Sequence, residues 1–248
     1  MSSGYDYSTT TYSPDGKIFQ TEYATKAVEN SPTCIGLKVK GGVVLAAEKI
    51  IRSKLLLPQA NHQIATIDKH CGMVCTGVFG DGIYLVDQGR KYASDYKSFY
   101  QEPIPAKILA DRMGTHMLTY TLYASVRPFG SSAIVGIVDS EAGTPGLYMI
   151  EPSGAYWGYN ACASGRGTRN AKNELEKLSL STMTPREAVK EAARIMYDVH
   201  NASKDKEMEL EITWICQESA WKHEFVPREL MQEAESYAKS SLEEKMQE

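Results

Sequence analysis

The sequence predicts an α+β fold, a four-layer α/β/β/α sandwich in which two antiparallel sheets pack face to face and helices cover their outer faces. Three observations predict it. Short apolar segments come in pairs with turn residues between them, the composition of β-hairpins. Segments with apolar residues at helical spacing also come in pairs, and they separate one hairpin group from the next. No linker, composition shift or internal repeat divides the 248 residues, and a single domain of that length hides about three quarters of its unfolded surface.

The elements follow in order. The first sixteen residues are polar and end in Ser13-Pro14-Asp15-Gly16, a type I turn composition. From Lys17 to Asn30, Phe19, Tyr23, Ala24 and Ala27 recur three and four apart, and Ser31-Pro32 stops the helix. Thr33 to Val39 and Val43 to Glu48 read as a hairpin across Lys40-Gly41-Gly42, and Ile64 to Asp68 with Met73 to Val78 as a second. Two helices follow: Asp81 to Tyr100, on the stripe Val86, Gly89, Ala93 and Tyr96, and one after Pro103 on Ile108, Leu109, Arg112, Met113, Met117 and Tyr120.

Strands are expected at Ser131 to Val138, Leu147 to Ile150 and Tyr156 to Cys162. A second helix pair covers Thr168 to Leu180 and Pro185 to Asn201, the latter announced by the capping box Thr184-Pro185-Arg186-Glu187. Met208 to Cys216 alternates, with Leu210, Ile212, Trp214 and Cys216 on one face and Glu209, Glu211 and Thr213 opposite. His223 to Val226 returns as its partner, and an amphipathic helix fills Arg228 to Leu242. Residues 1–248 are thus one domain: a tail and turn over 1–16, a helix over 17–30 and the sandwich over 33–242.

Charge and motifs narrow the function. Twenty-seven Lys and Arg against thirty-one Asp and Glu leave −4, so no basic stripe recommends nucleic acid or an anionic membrane. The longest apolar runs, Val43 to Ala47 and Ala133 to Val138, are far shorter than a membrane span and read as buried strands. No secretory signal is visible before Lys17, and the five cysteines 34, 71, 75, 162 and 216 fit reduced thiols of an intracellular protein. Cys71, Met73 and Cys75 share one strand face without a second ligand pair, and the five histidines are scattered, so neither metal nor cofactor is expected. Gly165-Arg166-Gly167 lacks the spacing of a phosphate loop and reads as a helix-entry turn.

A sandwich of this kind suggests one chemistry, attack on a carbonyl by an amino-terminal Thr, Ser or Cys whose own α-amino group takes the proton. Ser2, exposed by loss of Met1, lies in the polar tail, and processing before Thr33 or Cys34 would discard the first helix. An active amidohydrolase of this type is the alternative reading. A small-ligand binding module has no positive motif.

Gly4 to Asp6, Tyr12 to Ala24 and Lys26 to Val28 resemble the amino-terminal signature of proteasome alpha-type subunits. The family usually has Phe at Tyr12 and Arg at Lys17. Ala47 to Lys49, Ser53 to Leu55, Tyr123 to Gly130 and Tyr148 to Gly154 fit the same family, so the resemblance covers almost the whole chain. Tyr156 to Tyr159, Glu174 to Leu178 and Glu207 to Trp214 are most similar to the type at the seventh position of the eukaryotic ring, whose acidic carboxyl-terminal tail Ser240 to Glu248 does not match.

The resemblance implies the amino-terminal-nucleophile hydrolase fold in a non-catalytic role, as wall and axial gate of the 20S core particle in ubiquitin-dependent and -independent degradation. Where catalytic relatives begin with Thr this chain has Pro32; Glu48 stands at the carboxylate position and Gln63 at the catalytic Lys position. Tyr5, Asp6, Pro14 and Tyr23 match the cluster that holds the gate open. Gln63 also matches the Lys that pairs with activator tail carboxylates, so a weak docking pocket is implied. The implied partners are two neighbouring alpha subunits, beta-ring subunits and activators such as the 19S regulatory particle, within a hetero-oligomer of twenty-eight subunits in cytoplasm and nucleus.

Overall fold

The computed structural model describes every residue except 1–3, 51–52, 54, 58–61, 140–142, 204–207 and 248. Ser2 and Lys54 lie outside the described residues. The order is α1 (Phe19–Glu29), β1 (Cys34–Val39), β2 (Gly42–Ile50), β3 (Ile64–Asp68), β4 (Cys71–Gly77), α2 (Phe79–Tyr100) and α3 (Ala106–Thr119). It continues with β5 (Ser131–Val138), β6 (Pro145–Ile150), β7 (Tyr156–Gly158), β8 (Ala161–Ser164), α4 (Thr168–Leu175) and α5 (Pro185–Ser203). After β9 (Met208–Cys216) and β10 (Glu224–Phe225), α6 (Arg228–Gln247) closes the chain.

Two antiparallel five-stranded sheets result, in the orders β10-β9-β2-β1-β8 and β3-β4-β5-β6-β7. Three apolar layers hold them. The first sheet packs Leu37, Val44 and Trp214 against Ala188, Ala192 and Met196 of α5. The second packs Met73, Val135 and Ile137 against Leu85 of α2 and Leu109, Met113 and Met117 of α3. Between the sheets lie Val43, Leu45 and Ile215 from one and Ile64, Val74 and Ile134 from the other. This is the expected sandwich. Its central strands β2 and β5 are covered on both faces, which is why they read as continuous apolar runs.

Glycines make room where side chains of the facing sheet press in. A Cβ on Gly36 would stand 2.8 Å from Leu147 and 2.9 Å from Ile134, and one on Gly136 would stand 2.8 Å from Val43. Only hydrogen leaves room for the opposing side chains.

Two expectations need correction. Tyr156 to Cys162 is two strands, because β7 pairs with β6 in one sheet and β8 with β1 in the other. The chain crosses at Tyr159 and Asn160, whose N–H and C=O bond to Leu147 and Lys38 respectively. The helix expected to reach Leu180 stops at Leu175, and Lys177, Leu178 and Thr182 close turns instead. Glu211 and Thr213 stand on the face of β9 opposite Leu210, Ile212 and Trp214. Both are buried, because that face looks into the inter-sheet layer, where each polar group finds a partner.

His223 shows what such burial requires. Its ring is hydrogen-bonded at both nitrogens, to the Thr66 hydroxyl at 2.8 Å and the Thr213 hydroxyl at 3.0 Å, and it lies against Gly72, where any Cβ would collide with the ring. Burial lowers its pKa from 6.5 to about 4. The folded state therefore holds a neutral imidazole that the unfolded chain would protonate first, so stability is full above pH 6.5 and falls as pH drops toward 4. The shift corresponds to about 3 kcal/mol once the pH is below the lowered pKa. Urea unfolding of the chain from neutral pH down toward that pKa should show this loss, and His223→Gln should flatten that part of the profile.

Candidate functional site

Glu48, near the end of β2, is 1% exposed, and a carboxylate at that depth must be matched by donors. Three elements supply them. The Thr33 N–H donates to Oε2 at 3.0 Å, the Arg166 guanidinium to Oε1 at 2.6 Å, and His200 Nδ1 of α5 lies 2.7 Å from Oε1. Arg166 is delivered by Gly165, whose φ of +101° is open to glycine and whose missing Cβ would run into the Pro32 carbonyl.

Residues 31–33 and 165–167 are laced together. The Arg166 N–H donates to the Ser31 carbonyl at 2.9 Å and the Gly167 N–H to the Thr33 hydroxyl at 3.1 Å. Thr33 is fully buried and Cys34 nearly so. The Thr33 nitrogen is an amide bonded to Pro32 and already donates to Glu48, so it has no lone pair to take a proton. Burial, with the nearby Cys75 thiol and the Glu211 and Glu48 carboxylates, pushes the Cys34 thiol up. Cys75 is raised by burial to about 12. Thiols of that kind stay protonated and are poor nucleophiles.

Pro32 and Gln63 line one cavity of about 310 Å³ together with Cys75, Thr76, Phe79 and Val86. Glu48 is not among its lining residues, and its carboxylate is engaged by its own partners. The Gln63 and Ile64 N–H groups both donate to the Glu211 carboxylate, at 3.1 and 3.0 Å, and His62 Nδ1 stands 3.4 Å from the same group. At the other wall, Arg90 pairs with Asp87 at 3.2 Å and donates to the Thr66 carbonyl at 3.0 Å. The pocket thus offers the neutral Gln63 amide at the position where the resemblance would set a charged amine.

The amino-terminal residues form a separate region. Tyr5, Pro14 and Tyr23 are exposed and Asp6 is half-buried, and among the described residues no hydrogen bond joins the four side chains. Gln20 of α1 donates to the Asp6 carbonyl, Asp6 Oδ1 is buried without a partner, and the Phe19 and Tyr23 rings stack with centroids 6.2 Å apart.

Residues 5–27 match the N-terminal signature of A-type proteasome subunits, and residues 28–215 match the proteasome subunit family. The chain belongs to the proteasome alpha-subunit family. It is 54% identical to the alpha type-3 proteasome subunit of Acanthamoeba castellanii, covering 98% of this chain and 96% of that one. It is 48% identical to the alpha type-3 subunit of Spinacia oleracea, over 98% and 97% of the two chains. A proteasome subunit of Schizosaccharomyces pombe named as a probable alpha type-7 is also 48% identical, over 96% and 93%.

Arg166, His200 and Glu211 were invisible as a site in the sequence. Arg166 was legible as part of a helix-entry turn, which it is, but its target lies 118 residues away. A single buried Glu at the end of an apolar strand was the available signal, since it had to find cations somewhere. Removing one partner of a buried pair leaves an uncompensated charge, so Arg166→Ala should cost about 3 kcal/mol or more in denaturant unfolding. The double change Glu48→Gln, Arg166→Met should cost much less than the single one.

Proposed function

We propose that this proteasome alpha subunit is a non-catalytic wall and gate of the 20S particle, acting through ring contacts. The observation that carries the reading is Thr33: it sits behind an intact peptide bond, fully buried, with its amide donating to a Glu48 carboxylate already held by Arg166 and His200. A nucleophile needs a free base and an open approach, and Pro32 and Gln63 provide neither hydroxyl nor charge beside it.

The partners of this role are two neighbouring alpha subunits, beta-ring subunits below and activators such as the 19S regulatory particle above, in cytoplasm and nucleus. Tyr5, Asp6, Pro14 and Tyr23 hold the open form of the axial tail. The buried, unpartnered Asp6 Oδ1 supports this, because it lacks a donor that an adjoining tail or subunit can bring. The cavity between Pro32 and Gln63 receives activator tails, weakly, for want of a cation at Gln63.

The test is purification of the carboxyl-terminally tagged chain from its own cells, with sedimentation and cleavage of a fluorogenic peptide followed together. Co-migration with a peptidase of about 700 kDa, the size of a closed assembly of stacked rings, and labelling of other chains by a threonine-directed inhibitor are expected. A small species that itself takes the label would establish the amidohydrolase instead. In the reconstituted particle, Gln63→Lys should tighten binding of an activator tail peptide by about tenfold, the gain of one charge-assisted pair. Calorimetry or fluorescence anisotropy measures it, and unchanged affinity removes the docking role of this pocket.

A further inference from the structure

The amino-terminal tail is fastened to the body at an unexpected place. Thr9 is only 4% exposed although its neighbours are polar and largely exposed. Its hydroxyl donates to the Tyr123 carbonyl at 2.9 Å, across 114 residues of sequence. Ser8 and Thr10 bond to each other over it, hydroxyl to hydroxyl at 2.8 Å, so the segment turns Thr9 inward.

The acceptor is fixed from behind. Tyr123 follows α3 in a run of turns, with Thr121 and Leu122 N–H groups bonded to Leu118 and Thr119 carbonyls. Four residues later Arg127 grips Asp81 of α2 with two bonds, at 2.6 and 2.7 Å, and the Gly130 N–H adds a third to the same carboxylate at 2.8 Å. Downstream of Thr9 the chain is fastened again: the Ser13 N–H donates to the Lys17 carbonyl and the Lys17 N–H to the Ser13 hydroxyl.

We infer that Thr9 is a positioning residue of the gate, whose hydroxyl pins the base of the tail to the loop after α3 and so favours the closed arrangement of residues 4–8. The inference rests on the gate reading given above. It assigns regulation to a side chain outside the Tyr5, Asp6, Pro14 and Tyr23 set. Valine at this position keeps the shape and removes the donor, leaving the Tyr123 carbonyl without it. A contact kept in both arrangements would shift neither; this one belongs to the closed arrangement, so its loss favours the open one by the worth of one hydrogen bond.

The experiment compares particles purified with the tagged wild-type chain, Thr9→Val, Thr9→Ser and a chain lacking residues 1–12. Two readouts are taken: hydrogen exchange of the segment 4–12 and peptide hydrolysis without activator. Thr9→Val should speed exchange in that segment while α1 stays protected, and raise basal hydrolysis by about fivefold, the population shift one ordinary hydrogen bond supports. Thr9→Ser should behave as wild type in both. Unchanged exchange in Thr9→Val overturns the anchor. Faster exchange without added hydrolysis, while the deletion does raise hydrolysis, overturns the positioning role and leaves the gate standing. If the deletion also leaves hydrolysis unchanged, the gate reading itself falls.

Discussion

A single carboxylate, Glu48, constrains much of the first sheet and what surrounds it. A charge buried to that degree is tolerable only when several donors meet it in good geometry. Those donors come from the start of β1, the turn into α4 and the far end of α5, so satisfying one side chain brings together segments 118 and 152 residues away in sequence. The backbone agrees with it, because the Glu48 N–H donates to the Thr33 carbonyl while the Thr33 N–H donates to the Glu48 side chain. The contacts of Glu48 form a joint in which both of its oxygens are engaged.

The layer between the sheets follows the same rule with weaker groups. Thr76, Ser132 and Ser164 come from three strands of two sheets and form a closed triangle of hydroxyls at 2.6 to 2.7 Å. Each can donate once and accept once, so the triangle satisfies itself. Glu211 spends its two oxygens on consecutive N–H groups where β3 begins, which seats Gln63 at the wall of its cavity. Polar groups in this layer are therefore tied to particular strands, and they fix how one sheet sits on the other more specifically than methyl groups do.

These ties also explain what could be read from sequence. Segments whose signal is local were legible: the apolar runs of β2 and β5, and the start of α5, where Glu187 does accept from the Thr184 N–H at 2.8 Å and from its hydroxyl at 2.9 Å. Segments whose fate depends on distant partners were not. Nothing in Tyr156 to Cys162 says that half of it belongs to each sheet, since both halves satisfy the same period of two. Glu211 and Thr213 alternate with apolar residues as a solvated face would, and only the presence of a second sheet turns that face inward. Pro32, Glu48 and Gln63 drew attention through family resemblance alone, whereas Arg166 and His200 meet Glu48 through contacts that have no sequence period.

The first turns of α2 connect the remaining pieces. Phe79, Gly82, Ile83 and Val86 line the cavity that Pro32 and Gln63 also face. One residue inside the same stretch, Asp81, turns the other way and holds Arg127 and Gly130. The hydrogen bonds from Arg127 lower the Asp81 pKa, which favours the ionised form of the clamp. The clamp in turn steadies the loop whose Tyr123 carbonyl receives Thr9. One stretch of helix thus forms the wall of the cavity and the footing of the tail. A helix cannot move its residue 79–86 face without moving Asp81 with it, so a shift of this stretch acts on Arg127, at the end of the loop that carries Tyr123. The path from the cavity to the tail therefore runs through Asp81, Arg127 and the Tyr123 carbonyl to Thr9.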